Sequence, residues 1–181
     1  ERVSVFSKGD EYKGYDAAKI FAEGKAKIAE GNKAIMAKIE ADKKKKEEEF
    51  AANQQKLVDD LKATMQSTPS GLYYKITKKT EGVAPKKGED VAVHYAGKLV
   101  DGTEFDSSFK RNQPIDIPIG VGQVIKGWDE GIMLLKEGET ATLLIPSELG
   151  YGANGAGGVI PPNAWLIFDV ELVKVKSILS K

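Results

Sequence analysis

The apolar positions of the chain follow two different periods, one in its first third and another in the remainder. In the first third they recur mostly at steps of seven and four, in a segment rich in Ala, Lys, Glu and Gln, which are strong helix formers. Such a narrow stripe is typical of a coiled-coil seam, so the pattern predicts a helix over 17–66 with Asp16 as N-cap. The stripe consists of Phe21, Ile28, Ile35, Ile39, Phe50, Leu57, Leu61 and Met65.

The stripe is interrupted between Ile39 and Phe50, where residues 43–49 read KKKKEEE. A charge run of this kind is usually a solvated helix face. The alternative is a bend, because Lys before Glu at i,i+4 is the weaker orientation and adds little rigidity. Since the stripe has no other apolar partner in its own segment, we expect either a helical hairpin or self-association into a dimer.

From residue 72 onward the period changes to two, as in half-buried strands. The strands DVAVHYAG and PIDIPI each place three apolar residues on one face, and Asp101-Gly102 is a hairpin signal. In the last strand Leu166, Phe168, Val170 and Leu172 face one way, with Trp165, Ile167, Val173 and Val175 largely on the other. Only residues 124–135 have helical spacing, with Val124, Trp128 and Ile132 on one face. The predicted class is α+β, with one antiparallel sheet packed on one short helix.

The segment STPSG at 67–71 separates the two periods and predicts a helix stop followed by a linker. We therefore expect three parts. Residues 1–15 would be the remnant of an upstream domain or a flexible terminus, 16–68 a helical arm and 69–181 the second domain. VSVF near the start alternates like a strand but has no neighbour to pair with, so we expect residues 1–15 to be disordered, to lie against the arm or to pair between chains.

Composition excludes several classes of protein and site. Basic and acidic residues both total 27, which gives no basic excess to indicate nucleic acid. The chain has no Cys, which excludes disulfides and thiol catalysis and leaves the compartment open. No apolar run approaches the roughly 18 residues of a membrane-spanning helix. Since the first residue is Glu rather than Met, we expect a processed chain or a fragment.

Catalytic motifs are weak or absent. GYGANG at 150–155 formally satisfies G-x-G-x-x-G, but AGGVIPP follows instead of the helix that a dinucleotide site needs. His94 is the one histidine and lies mid-strand, where we expect a hydrogen-bonded structural residue rather than a member of a nucleophilic triad. One His without Cys also argues against zinc. We expect no metal and no cofactor.

Five aromatic residues of the second part stay open to two interpretations. Tyr95, Phe105, Trp128, Tyr151 and Phe168 would be ordinary core residues, or they would converge on one concavity. The glycine-rich stretch GYGANGAGGVIPP at 150–162 favours a concavity, because it is longer than a hairpin needs and allows close backbone approach to a ligand. The phenol of Tyr151 would then present one polar group to an apolar cavity.

Three motifs, VAVHYAGKLVDGTEFDSS, VGQVIKGWDEGI and LGYGANGAGGVIPPNAWLIFDVEL, in this order and spacing, resemble the FKBP-type peptidyl-prolyl isomerases over essentially all of 72–176. The resemblance implies a half-wrapped antiparallel β-sheet around one short α-helix, here preceded by a long helical segment. An apolar pocket would lie between sheet and helix. The glycine-rich loop would be a flap over a peptide site, with its Tyr pointing inward.

The resemblance also implies site residues. The catalytic ones would be Tyr95, Phe105, Asp106, Trp128, Tyr151 and Phe168. The substrate-binding ones would be Arg111, Ile115, Val124, Ile125, Val159 and Ile160. Trp128 would lie beneath the proline ring, and the Tyr151 hydroxyl and Ile125 N–H would hold substrate carbonyls. Two departures bear on peptide preference and drug affinity: Ile115 stands where the family often has an aromatic residue, and Ala156-Gly157 replaces a bulkier flap tip.

The implied activity is rotation about X-Pro bonds in unfolded or flexible protein chains, by a non-covalent mechanism without a cofactor. Macrolide inhibitors of the rapamycin class would be ligands of the same pocket. The competing interpretation is a catalytically weak FKBP module used as a binding scaffold or dimeric chaperone. Retention of Trp128, Tyr151, Asp106 and Phe168 together favours the enzyme.

The arm has parallels of its own. FKBP domains preceded by long helices occur in bacterial folding helpers of the macrophage-infectivity-potentiator type, which dimerise through that region. The arm would accordingly be a dimer arm, with a spacer or a cradle for client proteins as the alternatives. Residues 1–21, ERVSVFSKGDEYKGYDAAKIF, are similar to the closing strand and exit of a cyclophilin domain in bacterial cyclophilin–FKBP fusions. The alternative is a frayed terminus. The bacterial cytoplasm is the expected compartment, with the periplasm as the alternative.

Overall fold

The structure is a computed structural model that describes residues 17–176. The predicted N-cap at Asp16 and the expectations for residues 1–15 lie outside this range. The chain divides into two compact units, one ending at Glu49 and the other beginning at Phe50. Within 17–176, none of the helices combines the length and the apolar character needed to cross a bilayer.

The predicted arm is a helix, α1 (Ala17–Lys62), which ends four residues earlier than expected. It is helical without interruption at 43–49, so the bend of the hairpin alternative does not occur. The run forms three i,i+4 ion pairs there, Lys43–Glu47, Lys44–Glu48 and Lys45–Glu49, at 3.8, 3.9 and 3.8 Å. Their side chains are at least 63% exposed, so these pairs contribute little stability and the run is a solvated helix face.

The end of α1, within the second unit, is buried on a different face from the predicted stripe. Val58 is fully buried and Gln54 is 7% exposed. The stripe residues of this part are all only half-buried, namely Phe50, Leu57, Leu61 and Met65. The packed face of this part of α1 therefore contains Gln54 and Val58 rather than the predicted stripe.

The predicted linker is a tight hairpin. A two-residue strand β1 (Gln66–Ser67) pairs antiparallel with β2 (Tyr73–Lys78). The turn between them is closed by Thr68 N–H donating to Leu72 O at 2.9 Å, and Gly71 adopts a φ of +92°. A strand of two residues shows no alternation in the sequence, so its pairing was not predicted.

One seven-stranded antiparallel sheet forms the body of the second unit, in the order β1-β2-β6-β7-β3-β4, with β5 also paired to β3. The hairpin predicted at Asp101-Gly102 joins β3 to β4, and Gly102 has a φ of +91°. The remaining strands are β3 (Asp90–Leu99), β4 (Glu104–Ser107), β5 (Ile115–Pro118), β6 (Thr140–Ile145) and β7 (Leu166–Lys176).

Two short helices accompany the sheet, α2 (Ser108–Arg111) and α3 (Lys126–Met133). The predicted helix α3 buries Trp128 and Ile132. It packs closely on β6 because Gly127 and Gly131 face that strand. A Cβ on these glycines would lie 2.5 Å from Ile145 and 2.6 Å from Leu143. The sheet and α3 thus enclose one apolar core, as the alternating pattern predicted.

The last strand departs from the predicted alternation near its end. The register of β3 against β7 shifts between Ala92 and Val93, so that Leu172 opposes Val93 while Val175 opposes Val91. The extra residue at this β-bulge turns Val175 back toward the core, where it packs. The prediction that Val173 and Val175 share the outer face was therefore wrong for Val175.

Candidate active site

A cavity of about 500 Å³ opens between the sheet, α3 and the glycine-rich loop. Its volume is in the range of small-ligand pockets. Strands β3, β4, β5 and β7 supply one wall, and the start of α3 with its preceding loop supplies another. The lining residues are Tyr95, Phe105, Asp106, Ile115, Gln123, Val124, Ile125, Trp128, Tyr151 and Phe168.

Four aromatic rings form the inner wall, each nearly perpendicular to its neighbour. Ring centroids lie 4.9 Å apart for Tyr95–Trp128, 5.2 Å for Trp128–Phe168 and 5.6 Å for Phe105–Phe168, at interplanar angles of 78°, 85° and 81°. Edge-to-face pairs are the favoured aromatic geometry. The rings come so close to β3 because Gly97 has no side chain: a Cβ there would lie 2.6 Å from Phe105 and 2.7 Å from Phe168.

Trp128 and Phe168 are the most buried of these four residues, at 4% and 3% exposure respectively. Its indole Nε1 has no hydrogen-bond partner within the described residues. Buried polar groups are normally paired, so this unpaired N–H is an exception. The rest of the ring presents an apolar surface.

The polar side of the cavity is an ion pair built around Asp106. Its Oδ1 accepts from Arg111 at 2.5 Å and from the Ser107 N–H at 2.8 Å, and its Oδ2 accepts from the Tyr95 hydroxyl. Arg111 also donates to the Tyr95 oxygen at 2.9 Å. Both carboxylate oxygens are thus already engaged, which fixes the direction in which the negative charge faces the cavity.

These contacts set the charge states. The hydrogen bond from Tyr95, followed by those from Arg111, holds the pKa of Asp106 below its ordinary value of 3.8 against the opposing effect of burial. Burial, and then the hydrogen bond to Asp106, raises the pKa of Tyr95 above 10.0. At neutral pH Asp106 is therefore an anion and Tyr95 a neutral phenol.

Tyr151 and Ile125 each add a hydrogen-bond donor at the cavity that is free among the described residues. The Tyr151 hydroxyl has no protein partner, and burial followed by the charge of Asp106 raises its pKa, so it keeps its proton. The Ile125 N–H is likewise unpaired, since Ile125 is the N-cap of α3 and its carbonyl accepts from Trp128 N–H at 2.9 Å. First-turn N–H groups of a helix lack intrahelical partners. Both groups can donate to carbonyl oxygens of a bound peptide.

The glycine-rich loop, which we call the flap (residues 150–162), owes its shape to backbone conformations that only glycine adopts easily. Gly152, Gly155, Gly157 and Gly158 all have φ between +58° and +71°. A Cβ at Gly155 would also collide with the Ile160 carbonyl. The flap is closed by a reciprocal pair of hydrogen bonds between Ala156 and Ile160 at 3.0 and 2.9 Å. Glycine therefore allows a compact folded loop here rather than a plain hairpin turn.

Comparison with known proteins identifies the family. Residues 81–173, just over half of the chain, match the sequence model of the FKBP-type peptidyl-prolyl cis-trans isomerases. An FK506-binding protein of Neisseria meningitidis serogroup C is 66% identical over 89 residues, which cover 49% of this chain and 82% of that protein. The chain belongs to the FKBP-type peptidyl-prolyl cis-trans isomerase family. The fold and the isomerase function predicted from the sequence are confirmed.

The similarity of this FKBP-type isomerase extends into the helical arm. The probable FKBP-type peptidyl-prolyl cis-trans isomerase FkpA of Neisseria meningitidis serogroup B is 48% identical over 157 residues, which cover 87% of this chain and 54% of that protein. The crystal structure of FkpA from Escherichia coli matches with 33% identity and a TM-score of 0.67, over 90% of this chain and 83% of that one. A helical arm before the FKBP domain is thus shared with FkpA.

Of the twelve residues predicted for the FKBP pocket, three do not line the cavity. Arg111 is not part of the lining and forms an ion pair with Asp106. Val159 is 59% exposed on the flap, and Ile160 is 7% exposed and belongs to the hydrophobic core. Gln123 lines the cavity but was not predicted, because a single polar residue between Gly122 and Val124 carries no apolar signal.

The loop that carries Gln123 is held by α3 of the FKBP domain. The Asp129 carboxylate accepts from Gly120 N–H at 2.9 Å and from Gly122 N–H at 2.6 Å. Both glycines have positive φ, at +76° and +77°. Asp129 thereby fixes the approach of the chain to Val124 and Ile125.

His94 lies outside the cavity of the isomerase. Its Nδ1 is 3.0 Å from the Ser108 hydroxyl, and its ring stacks on Phe109 at 4.8 Å. The same hydroxyl accepts from the Tyr95 N–H at 2.7 Å. His94 is therefore hydrogen-bonded as expected, on the side of β3 away from the pocket.

Proposed function

We propose that this FKBP-type isomerase rotates X-Pro bonds of unfolded or flexible protein chains within the aromatic cavity, without a covalent intermediate or a cofactor. The observation that carries the proposal is the wall of four perpendicular rings. Among the residues that line the cavity in the described part of the chain, Asp106 alone is a carboxylate, and both its oxygens are occupied. Such a site offers shape and a fixed field rather than a nucleophile or a free base.

The physics of the amide suits this arrangement. Rotation is opposed by about 20 kcal/mol, because resonance requires a planar and polar amide. The twisted amide is less polar, so an apolar wall favours it relative to the planar form, whereas water favours the planar form. Interactions that are stronger in the transition state than in the ground state accelerate the reaction. The proline ring would lie on Trp128, and the rotating carbonyl would face the Asp106 side.

The free donors would hold the rotated geometry. The Tyr151 hydroxyl and the Ile125 N–H would each donate to a carbonyl oxygen of the substrate on either side of the rotating bond. Because both donors are unpaired in the described chain, neither has to give up a hydrogen bond within the protein when substrate binds.

The experiment is a measurement of kcat/KM on a Phe-Pro peptide by NMR exchange for Tyr151→Phe, with Tyr74→Phe as control. The Tyr74 hydroxyl is bonded to Gln66 at 2.8 Å on the exposed edge of the sheet and does not line the cavity. Loss of one hydrogen bond of about 1 kcal/mol predicts a roughly fivefold fall for Tyr151→Phe and wild-type activity for the control. Equal activities of the two variants would contradict the role of Tyr151.

We also propose that macrolide inhibitors of the rapamycin class occupy this cavity. The similar proteins from Neisseria are named FK506-binding proteins, and the aromatic wall gives a large apolar ligand a matching surface. Competitive inhibition of peptide isomerisation is expected. Uncompetitive inhibition, or none, would place the ligand elsewhere or exclude it.

For the arm we propose a homodimer. The large hydrophobic residues of α1 within the first unit are between 50% and 65% exposed, namely Ile20, Phe21, Ile28, Ile35, Met36 and Ile39. An apolar row of this kind, at heptad-like spacing, fits a second copy of the same helix. Sedimentation of the full chain carrying Ile28→Glu is expected to show a monomer, whereas Ala26→Glu, on the opposite face with the same charge change, is expected to stay dimeric. A wild-type monomer at high concentration would refute the dimer.

The domain organisation stays a proposal. Limited proteolysis is expected to separate an arm over 16–68 from an isomerase domain over 69–181; protection of the chain from Phe50 onward would move the boundary to the start of the second unit. An upstream cyclophilin domain rests on the resemblance of residues 1–21 alone. The coding region upstream of Glu1 is the direct test, and the absence of cyclophilin motifs there would refute the fusion.

A further inference from the structure

Gln54, a buried polar residue of α1, hydrogen-bonds to the backbone of the chain segment that precedes β7. Its Nε2 donates to Asn163 O at 3.2 Å, and its Oε1 accepts from Trp165 N–H at 2.6 Å. Gln54 is 7% exposed, and both polar atoms of its amide are used. The side chain is thus a bidentate clamp on one short stretch of main chain more than 100 residues away in sequence.

The stretch that Gln54 clamps directly follows the flap. Asn163 has a φ of +57°, and its N–H donates to Gly152 O at 2.9 Å. Gly152 directly follows Tyr151, whose ring lines the cavity. A single residue, Asn163, therefore links the Gln54 amide through its carbonyl and the Tyr151 segment through its N–H.

A second contact joins α1 to the same stretch. The Lys62 Nζ lies 4.5 Å from the centroid of the Trp165 ring and 5.2 Å from that of Tyr73. A cation over an aromatic face is attracted by the ring quadrupole. Both the N–H and the side chain of Trp165 are therefore engaged by the last turns of α1.

We propose that Gln54 is a positioning residue of the isomerase. By clamping Asn163 and Trp165 it fixes the C-terminal end of the flap and keeps the Tyr151 hydroxyl at the cavity. The end of the arm helix is thereby coupled to the active site. The part of this inference that concerns Tyr151 rests on the proposed function. Gln54 lies outside residues 81–173, which match the FKBP family, so the coupling belongs to the arm rather than to the FKBP domain itself.

The direct test compares Gln54→Met with Gln55→Met in the full chain. Met keeps the size of the side chain and removes both hydrogen bonds. Gln55 is exposed, and among the described residues its side chain bonds Asp59 alone, at 2.8 Å, so Gln55→Met is the matched control. Hydrogen exchange of the flap amides of Ala156 and Ile160, and of the adjoining Asn163 amide, is expected to accelerate in Gln54→Met alone. The loss of the clamp is expected to lower kcat/KM about fivefold, mainly through kcat, because the Tyr151 hydroxyl that it positions would hold the rotated geometry. Fivefold corresponds to the loss of that one hydrogen bond to the substrate.

Gln54→Glu provides a second variant with a pH readout. An ionised Glu keeps the acceptor for Trp165 N–H but has no donor for Asn163 O, whereas a protonated Glu donates and accepts as the amide does. Burial raises the pKa of a carboxyl, so kcat/KM of this variant is expected to be low at about pH 8 and to approach the wild-type value toward about pH 5. Activity is compared on the folded variant at both pH values, so that the recovery reports the clamp and not a change in the folded fraction. Flap exchange and activity that are unchanged in both Gln54 variants would overturn the proposal.

A double-mutant cycle separates this inference from the proposed function. If Gln54 acts through Tyr151, Gln54→Met is expected to lower kcat/KM by a smaller factor in the Tyr151→Phe background than in the wild type. Fully additive losses would overturn the coupling. If Tyr151→Phe alone retains wild-type activity, the role of Tyr151 in the proposed function fails, and flap exchange together with kcat/KM of Gln54→Met still decides whether the clamp positions the flap.

Discussion

Gly97 allows the aromatic wall to pack directly on the sheet, and Gly97→Ala is expected to displace the rings from the sheet. Gly97 pairs directly with Phe168 on the neighbouring strand β7 and with Asp106 on β4. An added Cβ would lie 2.6 Å from Phe105 Cε2 and 2.7 Å from Phe168 Cε1. Carbon atoms are in favourable contact from about 3.5 Å, so each ring must move by about 0.8 Å.

This displacement sets the size of the expected effect. Overpacking of a core typically costs about 1 to 3 kcal/mol of unfolding free energy. Misplacement of a catalytic surface by about 1 Å can lower the rate by as much as about 100-fold, so we expect kcat/KM to fall about 10- to 100-fold. The assays are thermal unfolding and NMR exchange on a Phe-Pro peptide.

Two further variants make the test specific. Gly31→Ala on α1, where a Cβ meets nothing within 4 Å, is expected to gain helix stability and keep wild-type activity. Gly97→Ala combined with Phe105→Leu is expected to recover part of the lost stability, because the smaller side chain relieves the contact with Phe105 but not that with Phe168, and it is expected to recover no activity. A Gly97→Ala variant with wild-type Tm and wild-type kcat/KM would refute the reasoning.

Three other predictions follow from the charges at the cavity. Because the pKa of Asp106 is lowered below 3.8 and that of Tyr151 is raised above 10.0, kcat/KM is expected to stay flat from about pH 6 to 8; a steep limb in that range would contradict this. The folded-state pKa of Asp106 is lowered, so its stabilisation is present above the unfolded pKa and lost as pH falls through the folded one. Asp106→Asn is therefore expected to be less stable in urea titrations at neutral pH, and the difference is expected to shrink as the pH falls below 3.8. Arg111→Leu, measured in the same peptide assay, is expected to reduce kcat/KM by less than Asp106→Asn, since Tyr95 and Ser107 still hold the carboxylate.

The fold could be predicted from the sequence where alternation or helical spacing runs over several residues. Strand β3, the hairpin at Asp101-Gly102 and helix α3 are such cases. The two-residue strand β1 and the four-residue helix α2 are too short to show a period in the sequence. Strand β1 depends on its pairing with β2, and α2 is joined to β3 through the hydrogen bonds of the Ser108 hydroxyl with the Tyr95 backbone. The bulge near Val173 also depends on the register with β3 rather than on local sequence.

The candidate site likewise has residues that a sequence pattern reveals and residues that only the folded chain reveals. Its aromatic and apolar members could be placed because the family motifs are long and contiguous. Gln54 could not, since a glutamine on a helix rich in polar residues gives no sign that its amide will be buried. Its burial depends on backbone groups at residues 163 and 165, which only the folded chain brings beside it.

The central claim is that an apolar ring wall, and not a titratable group, performs the isomerisation. It is tested most directly by kcat/KM on a Phe-Pro peptide for folded Trp128→Leu and His94→Gln. The account predicts a loss of about tenfold for Trp128→Leu, because a ring of the wall is removed while the site stays apolar, and wild-type activity for His94→Gln. Wild-type activity of Trp128→Leu, or a loss of activity in folded His94→Gln, would contradict it.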